Sequence, residues 1–126
     1  MNIKWNPYRL KDCLIQATET FTDLLSNQED SSEELFSLEH DFVDHISSEN
    51  YIYEEISFEN LNDLKTIHTQ TLEELGLDSF YGALVILKTK KGRILLDGNH
   101  RFNSLKGKNY TGKVWIVEIE LSTDLI

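Results

Sequence analysis

The sequence predicts an α+β fold, in which an N-terminal helical hairpin precedes a small mixed β-sheet. Apolar residues recur at three- to four-residue spacing over residues 7–47, as on the buried face of a helix. From residue 51 onward, short runs of β-branched and aromatic residues alternate with turn residues, as strands do. The stretch RILLDGNHRFNSLKG at residues 93–107 indicates a strand that passes directly into a helix.

Two helices are predicted before residue 50. Asn6 and Pro7 suit the N-cap and first position of a helix, and the amphipathic pattern continues to about Ser26. A polar loop follows, and residues 31–34 contain a capping-box pattern before a second helix that ends near residue 47. The two apolar stripes consist of Leu10, Leu14, Ala17, Phe21 and Leu24, and of Leu35, Leu38, Phe42 and Ile46.

The second half of the chain is predicted to alternate strands with two helices. The strands fall at residues 51–56, 83–87, 94–96 and 114–121, and the helices at residues 61–75 and 100–107. His68 lies on the apolar stripe of the first of these helices, at the edge of the core, and Gly76 ends that helix. Residues 90–93 form a hairpin turn. The last strand directs four side chains to one face: Trp115, Val117, Ile119 and Leu121.

Length and composition predict a single domain of 126 residues, with an acidic helical hairpin at 1–50 and a mixed core at 51–126. The single cysteine, Cys13, excludes an intramolecular disulfide and a multi-cysteine zinc site, and it is typical of a reducing compartment. No early apolar run resembles a signal peptide, and no apolar stretch is long enough to cross a bilayer. The expected location is therefore the cytoplasm.

Charge is distributed unevenly along the chain. The net charge is −10, which argues against binding of nucleic acid by the whole surface. Residues 1–63 hold 3 Lys or Arg and 15 Asp or Glu, a net of −12, whereas residues 64–126 hold 9 and 7, a net of +2. Two interpretations stay open: ordinary solvated faces, or a locally cationic site on an anionic body whose acidic half binds a partner.

The residues best suited to chemistry are concentrated in Asp97-Gly98-Asn99-His100-Arg101. The first amides of a helix have no acceptor within it and attract anions, and Gly98 would let a phosphate approach the backbone. Arg101 can bind phosphate with its planar guanidinium, and His100 can donate a hydrogen bond or transfer a proton. Asp97 can hold a metal ion or orient His100. The alternative is a simple turn, with Asp97 or Asn99 capping the helix and with the other side chains paired inside the fold.

In this setting residues 52–121 resemble the ParB/sulfiredoxin-like superfamily, through the segments ILLDGNHRFNSLKG and GKVWIVEI. The resemblance implies a site for a nucleoside triphosphate, ATP or CTP, formed by Gly98, Asn99, His100 and Arg101. It also implies phosphotransfer as one activity, with Asp97 and His100 as the catalytic residues and Asp97 as a ligand of Mg²⁺. The Asp-Gly-x-His-Arg form is similar to that of the superfamily's free-serine kinases, which use a carboxylate base. Glu54, Glu55 and Glu59 are near the corresponding place in the chain.

The sequence also departs from the superfamily's better-known members. Asn99 stands where sulfiredoxins have their catalytic cysteine, and Cys13 lies outside the matched region, so sulfinic-acid reduction is not expected. Partition-type ParB proteins continue into a DNA-binding helical domain, which this sequence does not contain. Two alternative functions follow. One is a non-catalytic interaction module, such as an inhibitor, an immunity-like factor or a DNA mimic, whose acidic half binds a basic protein. The other is a ParB-like nuclease.

Overall fold

A computed structural model describes residues 3–28, 33–77 and 79–123, and it confirms the α+β class. Two helices, α1 (Leu10–Ser26) and α2 (Glu33–Ser47), come before the sheet. The sheet strands are β1 (Ile52–Ser57), β2 (Leu84–Thr89), β3 (Gly92–Asp97) and β4 (Lys113–Glu120), and helix α3 (Asn99–Gly107) lies between the last two. In this described part of the chain, no helix is both long enough and apolar enough to cross a membrane.

The four strands form one mixed sheet in the order β1-β4-β2-β3. The predicted hairpin joins β2 and β3 as antiparallel neighbours, and Gly92 supplies the positive φ of 125° at its turn. Strand β4 pairs in parallel with β2, so that Val117 of β4 lies opposite Val85 of β2. Strand β4 also pairs with β1, and this pairing is antiparallel. Strand β3 is therefore at one edge of the sheet, and α3 begins directly beyond its last residue, Asp97.

A hydrophobic core lies on each face of the sheet over β2, β3 and β4, whereas most of β1 is exposed. On one face α1 packs on β2 and β3, and Phe21 of α1 stacks on Phe42 of α2, with ring centroids 4.4 Å apart. On the other face Phe102 of α3 contacts Phe58 at 5.2 Å between centroids. The two faces of β4 follow the predicted alternation. The side chains on the face toward the N-terminal helices are Trp115, Val117, Ile119 and Leu121. Those on the face toward α3 are Val114 and Ile116.

The predicted helix over residues 61–75 is wrong. The structure has only two short 3₁₀ helices here, Phe58–Leu61 and Glu73–Leu75, with an irregular stretch between them. Lys65 pairs with the edge of β3, donating to the Arg93 carbonyl at 3.0 Å and accepting from Leu95 at 2.9 Å. The backbone of this stretch thus bonds to β3 and α3 instead of to itself. His68, predicted at the edge of the core, is exposed.

The start of the first helix also differs from its prediction. Helix α1 begins at Leu10 and not at Pro7, because Asn6 is held in an extended bridge with Tyr81. The Asn6 amide donates to the Phe80 carbonyl at 2.9 Å, and the Asn6 carbonyl accepts from Gly82 at 2.7 Å. Its side chain accepts a hydrogen bond from the amide of Tyr8 at 3.0 Å, which makes a turn and not a cap. Of the predicted capping box, Ser31 and Ser32 lie outside the described residues.

Candidate functional site

The junction of β3 and α3 borders a cavity of about 270 Å³. Asp97, Gly98, His100 and Arg101 all line it. The first intrahelical hydrogen bond runs from the Phe102 amide to the Gly98 carbonyl at 2.8 Å, so the amides of residues 99–101 have no acceptor within α3. Gly98 has a φ of 99°, and a Cβ added there would lie 2.5 Å from Leu84 Cδ2. The predicted strand-to-helix junction is therefore confirmed as a structural feature, and its glycine is required sterically.

Arg101 is engaged inside the fold. The residue is only 4% exposed, and its Nη2 lies 3.0 Å from Asp97 Oδ2. Its Nη1 donates to the backbone carbonyl of Tyr81, and its Nη2 also lies 3.8 Å from Cys13 Sγ. A buried guanidinium with these partners holds β3, α1 and the segment before β2 together. Arg101 thus places a fixed positive charge at the wall of the cavity.

Asp97 is the partner of that charge. Burial raises the pKa of its carboxyl above the ordinary value, and hydrogen bonds and the charge of Arg101 oppose the rise without cancelling it. The opposing hydrogen bonds come from the Cys13 thiol, the Gly98 amide and Arg101. A carboxyl group with a raised pKa at the wall of a cavity is suited to accept and return protons. Asp97 remains a candidate acid–base residue on this ground.

Asn99 has a structural side chain. Its Oδ1 accepts a hydrogen bond from the amide of Ile67 at 2.7 Å, and its Nδ2 donates to the carbonyl of Leu95 at 3.0 Å. Two further polar residues of α3 act similarly: Asn103 donates to the His68 carbonyl at 2.8 Å, and the Ser104 hydroxyl accepts from the Leu72 amide at 2.7 Å. These bonds hold the stretch before Glu73 against α3. Only the backbone amide of Asn99 can therefore serve a ligand.

His100 lies at the cavity and has an aromatic neighbour that the sequence did not suggest. Its ring stacks on that of His68, with centroids 5.6 Å apart and planes 10° from parallel. His100 is half-buried and His68 is exposed. The contact exists because Asn99 and Asn103 hold the backbone at His68 against α3. The wall of the cavity therefore includes the imidazole of His100.

Arg9, Tyr81 and Cys13 were missed as site residues. The Tyr81 ring is contacted by two guanidinium groups, with its centroid 4.4 Å from Arg9 Cζ and 4.8 Å from Arg101 Cζ. Arg9 is exposed, and its Nε lies 3.0 Å from Asp12 Oδ2. Arg9 and Cys13 come from the start of α1, whereas Tyr81 comes from the segment before β2, so the N-terminal hairpin forms one wall of the site. No local pattern marks them, because Cys13 and Arg101 are 88 positions apart.

A second cavity of about 470 Å³ adjoins the first and shares Arg9, Tyr81 and Asp97 with it. Its remaining walls come from one side of α1, including Gln16 and Cys13. Burial raises the pKa of the Cys13 thiol, although Arg101 opposes the rise, so the thiol is held in its protonated form. The two cavities are neighbours that share one wall, formed by Arg9, Tyr81 and Asp97.

The predicted metal ligand, Asp97, has no second described carboxylate beside it at the first cavity. Among the described residues, no group of three or more His, Cys, Asp or Glu could hold a metal ion. Asp97 is the only carboxylate of the described chain at the first cavity, and it is paired with Arg101. Glu54, Glu55 and Glu59 do not line either cavity. Arg93 also lines neither cavity, and it pairs with Asp63 and with Glu118 at 3.3 Å.

Comparison with known proteins adds no relative: no family model, no curated protein and no solved structure matches the chain. The ParB/sulfiredoxin-like resemblance of residues 52–121 therefore stays a prediction.

Proposed function

We propose that the protein binds the phosphate groups of a nucleotide, ATP or CTP, in the cavity at the start of α3. One observation carries this proposal. In a chain of net charge −10, the guanidinium groups of Arg9 and Arg101 and the imidazole of His100 converge on one cavity beside open helix amides. Such amides and guanidinium groups are the donors that phosphate oxygens prefer. The resemblance to the ParB/sulfiredoxin-like superfamily points to the same ligand.

Each group has a distinct role in this proposal. The backbone at Gly98 allows close approach, and the amides of residues 99–101 donate to the phosphate oxygens. Arg9 is exposed and can form a bidentate pair with a phosphate, exchanging it for Asp12. Arg101 contributes its charge from a fixed, buried position. His100 donates a hydrogen bond from the wall of the cavity.

The sugar and base occupy the second cavity. It adjoins the first at Arg9, Tyr81 and Asp97, and its volume of about 470 Å³ is within the range of small-molecule sites. Gln16 and Asp12 line it and offer the hydrogen-bonding groups that recognise a base edge or a ribose hydroxyl. Asp97 lies at the boundary of the two cavities, where it can accept the proton of an attacking hydroxyl in a phosphoryl transfer.

Nucleotides should raise the melting temperature, and Arg9→Ala should remove about half of that rise or more. A ligand at about 100 times its Kd adds about 2.7 kcal/mol, or on the order of 10 °C for a domain of this size. Loss of a charged hydrogen bond costs about 1.5–3 kcal/mol, so the affinity should fall about tenfold or more. Thermal unfolding with ATP, CTP, GTP and their diphosphates, with and without Mg²⁺, measures this.

Lys11→Ala is the matched control for Arg9→Ala, because Lys11 is an exposed cation two residues away that lines neither cavity. It should melt and bind as the unmodified protein does. If no nucleotide raises the melting temperature, the proposal is wrong. If all anions, including sulfate, act equally, the site binds phosphate groups without recognising a base.

Anion binding should strengthen as the pH falls, through Asp97. The folded pKa of this carboxyl is raised above 3.8, so protonation on acidification removes its negative charge from the cavity wall before an ordinary aspartate would be neutral. Isothermal titration calorimetry with sulfate, whose charge stays constant as Asp97 becomes protonated, should show that the affinity for sulfate rises as the pH falls. Asp97→Asn should bind more tightly at neutral pH and lose this part of the pH dependence. An identical pH profile in the variant would exclude Asp97 as the cause.

A further inference from the structure

The outward face of α2 carries apolar side chains that the described part of the fold leaves exposed. Phe36 is 75% exposed and Val43 43% exposed, whereas Leu38 and Phe42 on the opposite face are buried against α1. Phe36 and Val43 are seven residues apart, with His40 between them, so the three form one stripe along the helix. A shallow groove of about 230 Å³ follows this stripe, with Glu39 at its side.

The charge around the stripe has one sign. Helix α2 contains five acidic residues and no Lys or Arg, and three of the five border the stripe on the helix surface: Glu33, Glu39 and Asp44. A second copy of the chain would bring two such helices together, and like charges across an interface cost affinity. Nucleic acid would meet the same repulsion. The surface is complementary to an apolar stripe that is flanked by cations.

We propose that this face of α2 binds a cationic amphipathic helix of a partner protein. Apolar residues of that helix bury Phe36 and Val43, and its Lys or Arg side chains pair with the acidic residues beside them. Binding of one helix along another in this way is a recurrent mode of recognition, with anchors at i, i+4 and i+7. The few buried aromatic and aliphatic anchors carry most of the affinity, and the flanking charges give specificity. This binding is independent of the nucleotide site, because the groove and the two cavities share no lining residue.

A synthetic Leu/Lys peptide patterned as an amphipathic helix is the probe. Its titration into the ¹⁵N-labelled full chain should shift the amide signals of Phe36, His40 and Val43 most strongly. The paired substitution Phe36→Ala and Val43→Ala should weaken binding about tenfold or more. Tyr8→Ala is the matched control, because Tyr8 is also exposed, at 76%, and does not line the groove. Both variants should melt as the unmodified protein does, because all three side chains are at the surface.

Three results would overturn the proposal. A peptide of the same composition in scrambled order that binds equally would show attraction by charge alone. Equal peptide affinity in the Phe36 and Val43 variant would show that the protein attracts the peptide through its acidic residues alone, as expected of a DNA mimic. Self-association in sedimentation that the variant abolishes would show that a second copy occupies the stripe. The Arg9 variant should lose nucleotide binding and keep peptide binding. This result would show that the nucleotide site and the α2 groove are separate sites.

Discussion

Replacement of Arg101 by alanine should lower the free energy of unfolding by about 3–5 kcal/mol. Removal of one partner from a buried ion pair leaves the other charge without compensation in a poorly solvated place. Here the uncompensated group is Asp97, whose carboxyl already has a raised pKa because of burial. The Tyr81 carbonyl also loses a donor. Urea or thermal unfolding measures the effect, which corresponds to a fall of about 10–20 °C in melting temperature.

Two further variants separate structure from binding. Arg9→Ala removes the exposed guanidinium that lies over the Tyr81 ring, which Arg101 also contacts. This variant should change the free energy of unfolding by no more than about 0.5 kcal/mol. Replacing both Arg101 and Asp97 by leucine should recover much of the loss, because no uncompensated charge remains. If Arg101→Ala instead keeps full stability and loses only nucleotide binding, the guanidinium acts on the ligand and not on the fold.

Gly98→Ala should also destabilise the protein strongly, by about 3 kcal/mol. A non-glycine residue at a φ of 99° costs about 1–3 kcal/mol in backbone strain. The added Cβ would lie 2.5 Å from Leu84 Cδ2 and 3.0 Å from Arg101 Nη2, and such overpacking costs about 1–3 kcal/mol more. The displaced Arg101 would no longer be aligned with Asp97. Chemical denaturation of the variant measures the sum of these effects.

Gly76→Ala is the matched control for the backbone part of that cost. Gly76 also has a positive φ, of 72°, but a Cβ there would meet nothing within 4 Å. This variant should therefore lose only about 1 kcal/mol. Equal losses in the two variants would mean that the close approach of Leu84 and Arg101 to Gly98 contributes nothing, and the steric reason for a glycine at this junction would be wrong.

Where the prediction from sequence was wrong, long-range contacts had replaced local ones. Leu61, Leu64, Leu72 and Leu75 repeat as on a helix, yet the stretch between Leu61 and Glu73 is irregular. Its amides bond to Asn99 and Ser104 of α3. Such bonds satisfy the backbone as well as a helix does, and a side chain some 30 positions away gives no periodic signal. The same rearrangement placed His68 beside His100 instead of at the edge of the core.

The start of α1 was displaced for a similar reason. Asn6 and Pro7 are good helix-starting residues by themselves, but two backbone hydrogen bonds to residues 80 and 82 hold Asn6 extended. Helix formation gains little in the first turn, so a competing pairing can delay it. The helix then begins after Arg9, and this displacement leaves the Arg9 side chain over the Tyr81 ring.

The sequence alone determined the α+β class, the helical hairpin, the β2–β3 hairpin and the junction of β3 with α3. These features depend on apolar periodicity and on turn and capping residues, which are local properties of the chain. Only the tertiary structure decided that Arg9, Tyr81 and Cys13 meet Asp97 and Arg101 at one pair of cavities. It also decided that Arg101 is buried and that Asn99 has a structural side chain. The physical reason is that packing α1 onto the sheet joins residues far apart in the chain, and no short-range pattern encodes which side chains will meet.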